Sequence, residues 1–246
     1  MHPESAGATV GLLYPGFGAE DDFPALEARL GGAVRLPVVH TSVGEDAHRV
    51  DALLDLGSTL RLAEGAGALA AHRPDSIMWA CTSGSFVFGW DGARQQVDEI
   101  SELVDLPVSS TSIAFVNAAQ AMGLDTVAVA ASYPADVAAS FVAFLAKGDI
   151  HVTAMSSQGI VTAAEVGTLD REAVLAMVRA GDTADAEAVL VPDTAMHSLR
   201  WLDDLESAVG KPVLTANQVT VWEGLRLLGP VPRLHGMGSL LSRALP

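Results

Sequence analysis

Seven short apolar runs alternate with longer segments of helical spacing, and that alternation constrains the chain more than any other feature. The runs cover residues 9–13, 34–39, 76–80, 126–131, 151–154, 188–191 and 212–214. Within them apolar and polar positions barely alternate, as expected of parallel strands covered on both faces. The helical segments are 46–72, 93–104, 113–122, 135–147, 171–179, 199–209 and 219–228. Gly123, Gly148, Gly181, Gly210 and Gly229 follow five of them, the usual place for a helix-ending glycine. Repeated β-α units predict an α/β protein with right-handed crossovers.

The chain also repeats itself. Leu106-Pro107-Val108-Ser109-Ser110-Thr111-Ser112 opens a helical segment ending at Gly123, and Lys211-Pro212-Val213-Leu214-Thr215-Ala216-Asn217-Gln218 opens one ending at Gly229. Upstream, Ser76-Ile77-Met78-Trp79-Ala80-Cys81-Thr82 is matched by Ala188-Val189-Leu190-Val191-Pro192-Asp193-Thr194. Further upstream, apolar runs lead to Tyr14-Pro15 and to Tyr133-Pro134, and these are the chain's two tyrosines. Any two β-α series share some likeness, yet three anchors in one order predict two lobes related by a pseudo-twofold axis. Each lobe is expected to be a parallel four-stranded sheet flanked by helices, formed by residues 1–115 plus 219–246 and by residues 116–218. Ligands of open α/β sheets bind beyond the carboxyl ends of strands. Cys81 and Asp193 are therefore expected on opposite walls of one cleft, with Tyr14 and Tyr133 lining it symmetrically.

Composition narrows the function. Of 246 residues, half are hydrophobic and 18% are charged, enough for a sizeable core and the opposite of a disordered chain. The formal charge of −16 repels phosphate, so neither nucleic acid nor an anionic membrane is the expected partner. One cysteine excludes an intramolecular disulfide framework and fits a reducing compartment, the cytoplasm. No run approaches the ~18 apolar residues of a membrane span. Met1-His2-Pro3-Glu4-Ser5 lacks the basic start of a secretory signal. There is no GxGxxG between strand and helix, no GxxxxGK[ST] loop, no GxSxG elbow and no HExxH pair, so neither a nucleotide cofactor nor a metal is expected.

Two strand ends carry the chemistry. Ala80-Cys81-Thr82-Ser83-Gly84-Ser85 puts small hydroxyl residues and glycine where backbone N–H groups can face a carboxylate. A helix start there is expected to pull the Cys81 thiol toward its thiolate, although a free cysteine can also be a buried structural residue. Asp193 either caps a helix or serves as a functional carboxylate, and the two roles are compatible. His197, four residues later, either points into the same cleft or faces solvent. Glu20-Asp21-Asp22 reads as a helix start or a solvated loop.

Tyr14-Pro15, Ala80 to Ser85, Ala131-Ser132-Tyr133, Asp193-Thr194 and Thr215-Ala216-Asn217-Gln218 together resemble the aspartate/glutamate racemase superfamily over about residues 9–229. The closer branch holds maleate cis-trans isomerases, arylmalonate decarboxylases and the ectoine-utilisation protein A. The resemblance implies two pseudo-symmetric lobes, no cofactor, no metal and a tendency to form homodimers or higher homo-oligomers. It matches Cys81 to the nucleophile of maleate isomerases, and Thr82 and Ser83 to donors around a substrate carboxylate. It matches Tyr133 to a substrate-binding tyrosine and Thr194 to the residue whose amide binds carboxylate, with Ala195 beside it. Pro15 and Gly16 match the loop after the first strand. Three departures stand out. Asp193 replaces the second cysteine. Arylmalonate decarboxylases keep that cysteine and have a small residue at the first position, the reverse of this chain. Gly16-Phe17-Gly18 stands where maleate isomerases usually carry Ser-Ser-Asn.

The expected activity is cofactor-independent isomerisation of a small (di)carboxylate, with Cys81 as nucleophile or proton donor and Asp193 handling the proton on the opposite face. Decarboxylation of a malonate-type acid, racemisation or epimerisation, and non-catalytic carboxylate binding are the alternatives.

Overall fold

A computed structural model of the protein describes residues 7–243. The N-terminal pentapeptide read above for a signal lies outside them, as do the outermost residues of the lobe formed by 1–115 and 219–246. Among the described residues, nine strands form two wholly parallel sheets. They are β1 (Ala8–Pro15), β2 (Val34–Arg35), β3 (Val38–Thr41), β4 (Ser76–Trp79), β5 (Val108–Ser110), β6 (Thr126–Ala131), β7 (His151–Ser157), β8 (Ala188–Val191) and β9 (Val213–Thr215). The first sheet runs β2-β1-β4-β5 with β3 also paired to β1, and the second runs β7-β6-β8-β9.

The two orders are the same order. β1 corresponds to β6, β4 to β8 and β5 to β9, which is the arrangement the internal repeat predicts. Register extends the match. Trp79 pairs with Ser110, and Val191 pairs with Thr215. Ser110 and Thr215 each cap the helix that follows, Thr111–Met122 and Ala216–Arg226. These two helices pack on each other, joined by Thr111 to Thr220 (2.6 Å) and by Asn117 Nδ2 donating to Glu223 (2.9 Å). The larger of two core clusters spans both halves, as Phe86 meets Tyr133 and Phe141 with ring centroids 6.0 and 5.4 Å apart, and a smaller one lies around Val174, Val178 and Val191 in the second half.

Gly181 lies inside the helix Arg171–Gly181, the helix expected over 219–228 is Ala216–Arg226 and ends at Leu227 rather than Gly229, and four larger departures from the sequence reading bear on the site. The run 34–39 is two strands because Pro37 has no N–H to continue the ladder, so the first sheet has five strands rather than four. Val108–Ser110 is a strand, too short to show a pattern of its own. The helix expected over 46–72 is two, Val50–Leu56 and Thr59–Leu69, broken at Gly57. A Cβ on Gly57 would stand 2.1 Å from the Gly84 carbonyl oxygen, so the break lets the chain press against the Cys81 loop. The tyrosines are not equivalent either. Leu13 pairs with Trp79 while Val129 pairs with Leu190, so Tyr14 and Tyr133 lie two positions out of step.

Among the described residues, no helix is long and apolar enough to cross a membrane.

Candidate active site

β4 and β8 end at one cavity of about 390 Å³. Cys81 and Asp193 both line it, joined by Pro15, Gly16, Ser83, Thr194 and Ala195. Cys81 arrives there because Ala80 still donates to the Leu13 carbonyl (2.8 Å), after which the chain turns into the one-turn helix Ser83–Phe86. Gly84 donates its N–H to Cys81 Sγ at 3.3 Å, and Ser83 Oγ lies 3.8 Å from the sulfur. A Cβ on Gly84 would come within 3.1 Å of that sulfur and 3.0 Å of the Trp79 ring, so the turn is built around a bare backbone.

The thiol is 4% exposed. Burial pushes it up to about 12, against the pull of the Gly84 and Ser83 donors. The expected descent toward thiolate is therefore reversed: removing sulfur from water opposes its charge more than one turn of helix supports it.

Asp193 is held just as firmly. Its Oδ2 accepts from the Ser132 hydroxyl and its Oδ1 from the Ala195 N–H at 2.9 Å, an Asx turn rather than a helix cap. Burial raises this carboxyl first. His48, Ser132 and Ala195 oppose the rise, and the Asp46 charge adds to it. Tyr14 bridges the halves, donating to the Thr194 carbonyl (2.9 Å) and accepting from the Ala19 N–H (2.9 Å).

Thr82 and Tyr133 stand one layer behind the wall. The Tyr133 hydroxyl donates to the Pro192 carbonyl and also faces Thr82 and Ser83, while Thr82 Oγ1 is buried with no partner among the described residues. His197 pairs with Asp21 at 2.6 Å, away from the cavity. The Glu20-Asp21-Asp22 run does start a helix, Asp22–Arg29, and Asp22 accepts from the Ser198 and Leu199 amides. Thr-Ala-Asn-Gln is structural: Thr215 and Gln218 form a capping box, and Asn217 donates to Asp22.

The model of the arylmalonate decarboxylase family matches residues 57–241, about three quarters of the chain. This chain belongs to the arylmalonate decarboxylase family. It is 29% identical to the arylmalonate decarboxylase of Bordetella bronchiseptica over 130 residues, 52% of this chain and 54% of that protein. The chain thus spans about half the length of that curated relative. It is 26% identical to the maleate isomerase of Nocardia farcinica over 94% of both chains. Among solved structures it resembles a liganded arylmalonate decarboxylase in which a glycine is replaced by cysteine and a cysteine by serine. That match has a TM-score of 0.84 and 25% identity, covering 95% of this chain and 98% of the other. It shares the fold of a Nocardia farcinica maleate cis-trans isomerase variant with a covalently bound succinylcysteine intermediate, at a TM-score of 0.86 and 23% identity, over 96% and 98% of the two chains. The relatives named here are enzymes, so the family is one of decarboxylases and isomerases.

Within this arylmalonate decarboxylase family fold, the segment between β3 and Val50–Leu56 escaped the sequence reading. It carries Val43, Glu45, Asp46, Ala47 and His48 onto the cavity wall. Asp46 accepts from the Ala163 and Ala164 amides (2.9 and 3.1 Å), and the His48 N–H donates to the Val161 carbonyl (2.8 Å). A polar loop of one half is thus stapled to the other. Asp46 lying 117 residues from the helix it caps gives no local signal. Among the described residues, no three His, Cys, Asp or Glu side chains are grouped to hold a metal ion.

Proposed function

We propose that the protein is a cofactor-independent isomerase of a small dicarboxylate, of the maleate cis-trans type. The observation that carries this reading is the placement of Cys81, the chain's one cysteine, on the cavity wall beside the first turn of Ser83–Phe86. The leading amides of a helix have no partner inside it, so those of Thr82 and Ser83 are available to a carboxylate, as is the Thr194 amide opposite. Donors fixed in this way stabilise growing charge by about 3–4 kcal/mol each.

The reaction begins as sulfur bonds to one alkene carbon and the π electrons pass to the adjacent carboxylate as an enediolate. The thiol proton moves to Asp193, whose raised carboxyl suits it to hold a proton. The former double bond is now single and rotates. Re-forming the alkene expels sulfur, which recovers its proton, so cis becomes trans with no net gain or loss of atoms. The Nocardia farcinica isomerase variant supports this route, since it keeps a succinyl group on cysteine. Maleate incubated with the protein should yield fumarate by proton NMR, and C81A should cut the rate by about a thousandfold or more. Full turnover by C81A would reject the nucleophilic role.

A second reading has its own support. A thiol pushed up to about 12 is a proton donor at neutral pH, and Phe17, Val43, Leu53 and Leu56 give the cavity an apolar side. Both suit carbon dioxide loss from a substituted malonate, with Cys81 protonating the enediolate. Carbon dioxide release with solvent deuterium at the α-carbon is its signature.

A further inference from the structure

The cavity is unusual for an anion site. Glu45, Asp46 and Asp193 line it, no lysine or arginine does among the described residues, and the whole chain carries −16. Only His40 and His48 on its wall can carry positive charge. His40 is engaged, with its Nε2 3.7 Å from Glu20 and its ring against Phe17 at 4.7 Å. His48 is placed differently. Its Nδ1 lies 2.9 Å from the Ile160 carbonyl, which can only accept, so Nδ1 carries hydrogen. Its ring stands edge-on to Tyr133, with centroids 4.8 Å apart, and this packing fixes the plane. Nε2 has no protein partner among the described residues, yet the residue faces the cavity. Asp193 is near enough to feel the charge of the ring, and the neutral Tyr133 packs against it.

We propose that His48 Nε2 receives the second carboxylate of the substrate, the first being held by the Thr82-Ser83 amides. The doubly protonated ring donates from Nδ1 to the Ile160 carbonyl and from Nε2 to the ligand, in a charge-assisted bond. The same residue that anchors the loop to the other half thereby selects diacids over monoacids. Phe17, at the mouth and 73% exposed, offers no such contact. The assignment rests on the cavity being a carboxylate site, and it does not depend on which bond of the diacid reacts.

Calorimetric titration with succinate and with butyrate, unreactive acids of equal carbon number, tests it. The protein should bind succinate about tenfold more tightly than butyrate. H48N keeps an amide to meet the Ile160 carbonyl and places nothing at Nε2. It should lose the preference while butyrate affinity stays within about twofold. H48Q, which reaches toward Nε2 without charge, should keep part of it, and serves if H48N does not fold. No succinate preference in the unaltered protein, or a preference that survives H48N, would overturn the assignment. Diacid preference with no turnover of maleate would instead overturn the isomerase reading and leave His48 in place.

Discussion

A thiol in water and the thiol of Cys81 are different reagents. With its pKa pushed up to about 12, Cys81 should react with iodoacetamide at neutral pH about a thousandfold more slowly than free cysteine, because the thiolate fraction sets the rate. The linkage has a definite sign. The folded value lies above the unfolded one, so the stabilisation is complete below about pH 9 and is lost as pH rises toward 12. Urea titrations should show that decline, and C81A should flatten it. Ser132 gives a second test at this scale. S132A leaves Asp193 Oδ2 buried without its donor, which should cost about 1–3 kcal/mol and shift the acid limb of the pH-rate profile upward. An unchanged profile would mean that Ser132 does not hold Asp193. Cys81 and Asp193 could be placed at one cavity from the sequence, because each closes an apolar strand. The sulfur's acidity was misjudged, because burial is a property of the surroundings and not of Cys81-Thr82-Ser83.

At the scale of elements, the stapled loop matters most. D46A removes the acceptor of the Ala163 and Ala164 amides and leaves the short helix Ala163–Val166 with Thr162 as its one side-chain cap. Loss of such a cap costs about 1 kcal/mol. Hydrogen exchange at those two amides should quicken, and KM for the diacid should rise more than kcat falls, since His48 travels on the same loop. Equal exchange in D46A and the unaltered protein would contradict the staple. The strands and helices around it were legible from periodicity and from cap residues such as Ser110, Thr215, Gly123 and Gly210. The loop was not, because Val43-Gly44-Glu45-Asp46-Ala47-His48 follows no period and its partners belong to the other half.

At the scale of the whole molecule, a duplicated β-α order explains why one site has two walls. Each half brings a strand end to the cavity, and the helices Thr111–Met122 and Ala216–Arg226 lock the halves together. Tyr14 adds a joint on the cavity side. Y14F would leave the Thr194 carbonyl and the Ala19 N–H unpaired in a buried setting, at a cost of about 1–3 kcal/mol. Activity should fall with it, since the Asp193-Thr194 turn loses its tie to the first half. The repeat was readable in the sequence because strand-end residues mark register, as Trp79 with Ser110 and Val191 with Thr215 show. The two-position offset of the tyrosines was hidden, because pairing across a sheet is not written along one strand.

Acid-quenched protein saturated with maleate, examined by intact and peptide mass spectrometry, tests most directly whether Cys81 bonds to substrate. The predicted result is an added mass equal to one whole diacid on the peptide containing Cys81, absent in C81A. Unmodified Cys81 at full turnover, with carbon dioxide released from a malonate in its place, would contradict it.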